Sequence, residues 1–307
     1  MIPAVISEES IHREPALQNE RFIVSFPHQT KELGTLLLID QEATTEDRFK
    51  WIGQNLDNAA SYGLEGLGDY FFHGYNNEAG SWINIFDKKK LELVDSYKLE
   101  QVKDAHSICT FAGDLVVVAT GTDEVYRISI NDFKEAEVIY KASLTGRDMH
   151  HLNSITVHDG KLFISGFGVR SDLSWHSAKN GYIKDIIEDE EIARGLYHPH
   201  SLFSYMGRLL VCESSRSQVL DVNTGRTVFQ GTGYIRGLTV DSNANLIIGQ
   251  SKGRAHSGQP GIVRNMDDRG DIVGTASVYR YNCAQSSIES TWDLTDYGPE
   301  LYEIITI

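Results

Sequence analysis

The chain has 307 residues, 41% of them hydrophobic and 23% charged, enough to bury a substantial core without disulfide or metal staples. Its 28 basic and 43 acidic residues leave a net charge of −15, which repels phosphate backbones and anionic lipid, so nucleic acid and membrane surfaces are set aside as partners. The opening MIPAVISEESIHREP has neither a basic start nor a long apolar run, no stretch of about 18 apolar residues follows, and the expectation is a cytoplasmic protein.

In chain order, residues 1–20 read as an N-terminal extension. Residues 21–52 read as three outer strands with no inner strand before them. A repeated sentence then begins. It opens faintly at LEGLGDYFFHG with Glu65, and becomes plain in residues 104–130, where His106, Ser107 and Ile108 are followed by Gly113 and LVVVAT. Residues 150–166, HHLNSITVHDGKLFISG, repeat it with Asn153, Ser154 and Ile155, and residues 198–214, HPHSLFSYMGRLLVCES, repeat it with His200, Ser201 and Leu202. In these three copies the polar residue precedes the turn glycine by seven positions. IRGLTVDSNANLIIGQS is a looser copy, with Arg236 in the polar position.

Each copy carries short Val-, Ile- and Leu-rich runs separated by turn residues, and a period of roughly 40 to 50 residues holds about four strands. The expected fold is all-β: a six-bladed β-propeller forming a single domain over 1–307. The last residues, LYEIITI, read as an inner strand with nothing after it, so 21–60 and 300–307 would pair as the closing blade and leave no open edge. Cys109, Cys212 and Cys283 lie far apart in or beside apolar runs, without metal or redox spacing, and read as reduced thiols.

The innermost strand of each blade lines the central channel, so the polar position at its start should face one mouth. In ring order these positions are Glu65, His106, Asn153, His200, Arg236 and Glu303. Rim solvation, or neutralisation of Arg236 by Glu303, would be a purely structural use of them. Imidazole nitrogens and oxygens converging on one axis would instead suit a divalent metal ion, Zn, Mn or Fe rather than Ca, with Glu65, His106, Asn153, His200 and Glu303 as candidate ligands. Arg236 would hold a carboxylate or developing oxyanion, and without metal His106 and His200 could serve as acid and base, which makes His106, His200 and Arg236 the candidate catalytic residues. Ser107, Ser154 and Ser201 read as bonds to the neighbouring blade, not nucleophiles, because no nucleophile-elbow motif surrounds them.

Two long connections fall on the same face, 169–180 and the glycine-rich 251–275. With the inner-strand approaches they offer His151, Trp175, His176, His198, Arg254 and His256 as residues that could recognise a small anionic or sugar-like ligand. The acidic run at 186–195 reads as a solvated blade edge.

The succession HLNSI (151–155), HPHSL (198–202), IRGLTV (235–240) and IGQSKGR (248–254) resembles a family of bacterial proteins of unassigned activity that carries HLNGL-, PHSP-, FTRGL- and GLSKxR-like segments. The resemblance implies a propeller-like repeat fold. The chain departs from that pattern at Ser154, Leu202 and Gln250. The ring is also similar to that of gluconolactonase and paraoxonase propellers, whose divalent ion is held by Glu and Asn. That similarity would match Glu65 and Asn153 but not His106, His200 or Arg236. The expectation is a metal-dependent hydrolase, lyase or isomerase acting on a small polar molecule at the channel mouth, the alternative a non-catalytic ligand-binding or scaffold propeller.

Overall fold

The computed structural model describes residues 20–27, 34–53, 60–172, 175–252 and 274–307, with the His176 side chain excepted. Among these residues, six four-stranded antiparallel sheets stand in a ring as the blades of a β-propeller, and no α-helix is present. The innermost strands of blades one to five are Ala60–Leu67, Ala105–Phe111, Leu152–His158, Pro199–Tyr205 and Tyr234–Val240. Blade six is composite. The C-terminal strand Ile304–Thr306 pairs antiparallel with Arg21–Ser25, matching Val24 to Ile304 and Phe22 to Thr306. No helix among the described residues is long and apolar enough to cross a membrane.

The core is divided among the blade interfaces, because every sheet presents an apolar face to each neighbour. Ile108, Val117 and Phe72 pack between blades one and two; Val116, Ile155 and Ile164 between two and three; Phe163, Leu202 and Val211 between three and four. Cys212, Leu238 and Ile248 pack between blades four and five, Phe22, Leu37 and Ile247 between five and six, and Ile23, Leu64 and Phe71 where the ring closes. Cys109 and Cys212 lie buried in different interfaces. The outermost strand of blade three, Glu190–Leu196, is largely exposed, as its acidic composition requires.

Hydroxyl groups stitch adjacent blades together in two courses. In the first, Ser107 Oγ accepts from Ile155 N at 3.2 Å, Ser154 Oγ from Leu202 N at 3.1 Å and Ser201 Oγ from Gly237 N at 2.8 Å. In the second, Thr120, Ser165, Ser214 and Ser251 donate to the carbonyl oxygens of Leu152, Pro199, Ile235 and Leu301 on the next innermost strand. The repeated serines therefore do the linking expected of them. Each gives a backbone amide or carbonyl of the neighbouring blade a hydrogen-bond partner.

Candidate functional site

The innermost strands of blades one to five each begin with a β-bulge, which redirects the side chain beside it. The register slips between Ala105 and Ser107, Leu152 and Ser154, His200 and Phe203, and Ile235 and Leu238. His106, Asn153, His200 and Arg236 are thereby placed at equivalent positions around one mouth. In blade one the slip lies between Ser61 and Leu64, so Tyr62 occupies the position, not Glu65. The run Tyr62-Gly63-Leu64-Glu65-Gly66-Leu67 contains the same pattern twice, three residues apart, and a rule that favours polar residues selects the second copy. In blade six the carbonyl of Leu301 receives the Ser251 hydroxyl, as Ile235 receives that of Ser214 in blade five. Tyr302, not Glu303, therefore takes the sixth position.

The resulting ring is Tyr62, His106, Asn153, His200, Arg236 and Tyr302. Tyr302 reaches across it. Its hydroxyl donates to Asn153 Oδ1 on the opposite blade at 3.2 Å, and its ring lies 6.0 Å from both the His106 and the His200 rings. Tyr62 stacks on His106 with centroids 4.5 Å apart. Glu65 and Glu303 sit deeper along the innermost strands. Glu65 accepts from the backbone and hydroxyl of Thr110, and burial raises its pKa. Burial pushes Glu303 up to about 8, so it carries a proton at neutral pH. The charge partner of Arg236 is Glu300 at 3.8 Å, not Glu303.

The two ring histidines are held alike. His106 Nδ1 faces Asp104 O at 3.2 Å and His200 Nδ1 faces His198 O at 2.9 Å. A carbonyl oxygen only accepts, so the proton sits on Nδ1 in each and the lone pair on Nε2. Burial lowers both pKa values, and in His200 the Arg236 charge lowers it further. Both imidazoles are therefore neutral hydrogen-bond acceptors. Two buried donors in the same ring, Asn153 Nδ2 and Arg236 Nε, have no hydrogen-bond partner among the described residues.

Two residues before each ring position lies a second tier: Asp104, His151, His198, Tyr234 and Glu300 in blades two to six. Asp104, His151 and His198 adopt left-handed backbone, with φ of 57°, 51° and 54°, a conformation uncommon outside glycine. Side-chain acceptors fasten the approach to three of the inner strands. Asp123 receives the amides of Met149 and His150 at 2.6 and 2.7 Å, Glu213 that of Tyr197 at 2.9 Å, and Gln250 those of Thr232 and Gly233 at 2.9 and 2.8 Å. None of these three residues stands out in the sequence.

Of the expected recognition residues, His151, His198 and Trp175 come together above the ring. His151 packs 4.5 Å from Trp175 and 5.4 Å from His106. His198 has both nitrogens engaged, Nε2 donating to Trp175 O at 3.0 Å and Nδ1 facing Tyr234 Oη and Ser215 Oγ, and it anchors the 169–180 connection. The His176 side chain, Arg254 and His256 lie outside the described residues.

Among the described residues no three His, Cys, Asp or Glu side chains converge on one point where they could hold a metal. Asn153 Oδ1 is committed to Tyr302, a guanidinium occupies the fifth ring position, and the two carboxyl groups lie below the ring. The expected set of Glu65, His106, Asn153, His200 and Glu303 does not fit a resident divalent ion.

Three solved structures similar to this chain are distant from it in sequence and share its fold. The nidogen/laminin complex matches with a TM-score of 0.63 at 14% identity, covering 94% of this chain and 98% of that one. A luciferin-regenerating enzyme matches with a TM-score of 0.55 at 12% identity, covering 79% and 78%. The periplasmic gluconolactonase of Pseudomonas aeruginosa matches with a TM-score of 0.54 at 11% identity, covering 94% and 99%. No curated protein matches in sequence. Residues 98–307, which hold five of the six ring positions, match the model of the domain of unknown function DUF4915, and the chain belongs to that family.

Proposed function

We propose that the mouth of the channel binds a small hydroxylated acid or its lactone or ester and hydrolyses the acyl bond without a resident metal. The observation that carries this reading is the pairing of unlike groups, donors and acceptors, in one ring. Among the described residues Asn153 Nδ2 and Arg236 Nε are donors without acceptors, and the His106 and His200 Nε2 lone pairs are acceptors on neutral imidazoles. Leaving such donors unpaired in a folded protein costs about 1–3 kcal/mol each, so a ligand that supplies a carbonyl or carboxylate oxygen recovers that cost. Hydroxyl groups on the same ligand would donate to the two Nε2 atoms. During acyl transfer Arg236 would hold the developing oxyanion. The gluconolactonase among the similar structures acts on a molecule of this chemical class, which agrees with the reading.

The test uses D-gluconate as product and D-glucono-1,5-lactone as substrate, both in EDTA. Gluconate is expected to raise the melting temperature of the wild type and not of Arg236→Ala, and lactone hydrolysis in a pH-stat is expected to exceed the spontaneous rate. Absence of both effects across gluconate, tartrate and malate and their lactones or esters refutes the proposal.

A further inference from the structure

One pair at the mouth is built differently from the ring. His151 Nδ1 lies 3.1 Å from Asp148 Oδ2, whereas His106 Nδ1 faces the Asp104 carbonyl at 3.2 Å with the Asp104 carboxylate farther off at 3.5 Å, His200 Nδ1 faces a backbone carbonyl, and His198 has both nitrogens engaged. The carboxylate fixes the proton on Nδ1 of His151 and leaves the lone pair on Nε2. Nε2 has no hydrogen-bond partner among the described residues, and 16% of the side chain is exposed, against 9% for His106. The position is also enforced. Asp123 grips the backbone on the N-terminal side of His151, Phe167 and Trp175 clamp its ring at 4.6 and 4.5 Å, and its left-handed backbone turns it over His106.

We infer that His151 is the reactive base of the mouth and that Asp148 is its positioning residue. The inference rests on the acyl-hydrolysis reading for its substrate. His151 Nε2 takes a proton from water as the hydroxide oxygen bonds to the acyl carbon, and the electron pair of the carbonyl moves onto the oxygen held by Arg236. When the intermediate collapses the bond to the leaving oxygen breaks, and the imidazolium returns the proton to that oxygen. Atoms and charge balance with water as the sole co-reactant. His106 and His200 then orient ligand hydroxyls.

The test has an arm that needs no substrate. Diethyl pyrocarbonate acylates a reachable, unprotonated imidazole nitrogen. After brief exposure of the full chain at neutral pH, peptide mass spectrometry is expected to find His151 modified ahead of His106, His198 and His200. Asp148→Asn should slow that modification at an unchanged melting temperature, and Asp148→Glu should restore it. Modification of His106 or His200 as fast as His151, or indifference to Asp148→Asn, overturns the inference whatever the ligand proves to be. In the second arm, His151→Asn, chosen because Asn tolerates left-handed backbone, should lower kcat for glucono-1,5-lactone about 100-fold or more with KM little changed. A change confined to KM also overturns the inference. A wild type inert to every lactone and ester, with the labelling pattern intact, refutes the hydrolysis reading and leaves the assignment of the base standing.

Discussion

Glu303→Gln isolates the least comfortable group in the channel. Burial lifts the Glu303 carboxyl from an ordinary 4.5 to about 8 in the folded protein, because the charged form would be stripped of water with only the Ile304 and Leu238 amides to offset the loss, and Glu65 adds repulsion. The sign follows from linkage. Below pH 4.5 the carboxyl is protonated in both states and costs nothing. Above that the unfolded chain ionises first, so folding stability falls as pH rises and levels off once pH passes about 8. At ~1.4 kcal/mol per pH unit the whole loss is at most ~5 kcal/mol, and channel water will reduce it. Glutamine imitates the neutral acid in size and keeps an acceptor for the Ile304 amide. Urea denaturation of wild type and variant from pH 5 to 9 should therefore give similar stabilities at pH 5 and a growing advantage for the variant toward pH 9, by about 2–5 kcal/mol. Taking the difference cancels the other titrating groups. A difference that stays flat within about 0.5 kcal/mol over this range would show that Glu303 is solvated and would refute the reasoning.

Ser154→Ala should destabilise by about 1–3 kcal/mol in urea, because it strands the buried Leu202 amide without its partner and removes one of the two hydrogen bonds of the Ser165 hydroxyl. Gly237→Ala should cost at least about 2 kcal/mol, since the new Cβ would lie 2.8 Å from Ile304 Cγ1 and 3.2 Å from its nitrogen on a backbone with φ of 73°. Millimolar EDTA should leave the melting temperature within about 1 °C, and a larger fall would reveal a structural metal.

The sequence by itself determines the wheel. Short aliphatic runs such as LVVVAT, KLFISG and RLLVCE bury both faces of a blade wherever they stand, turn residues at regular intervals fold them back on themselves, and a strand left over at each end can be satisfied only by pairing with the other. Ser107, Ser154 and Ser201 recur because each interface leaves the same backbone amide in need of an acceptor, so their role too is legible from the repeat. His106, Asn153, His200 and Arg236 are legible as a ring for the same reason.

The tertiary structure alone decided what that ring can do. Whether Tyr62 or Glu65 faces the axis depends on where one extra residue is accommodated in a strand, and that is settled by which frame seats Leu64 in the interface with blade six, not by local pattern. The reach of Tyr302 to Asn153, and the grip of Asp123 on the approach to His151, join residues 149 and 26–29 positions apart. Contacts of that kind leave no periodic trace, because they depend on how one blade packs against another and not on the spacing of residues within any one repeat.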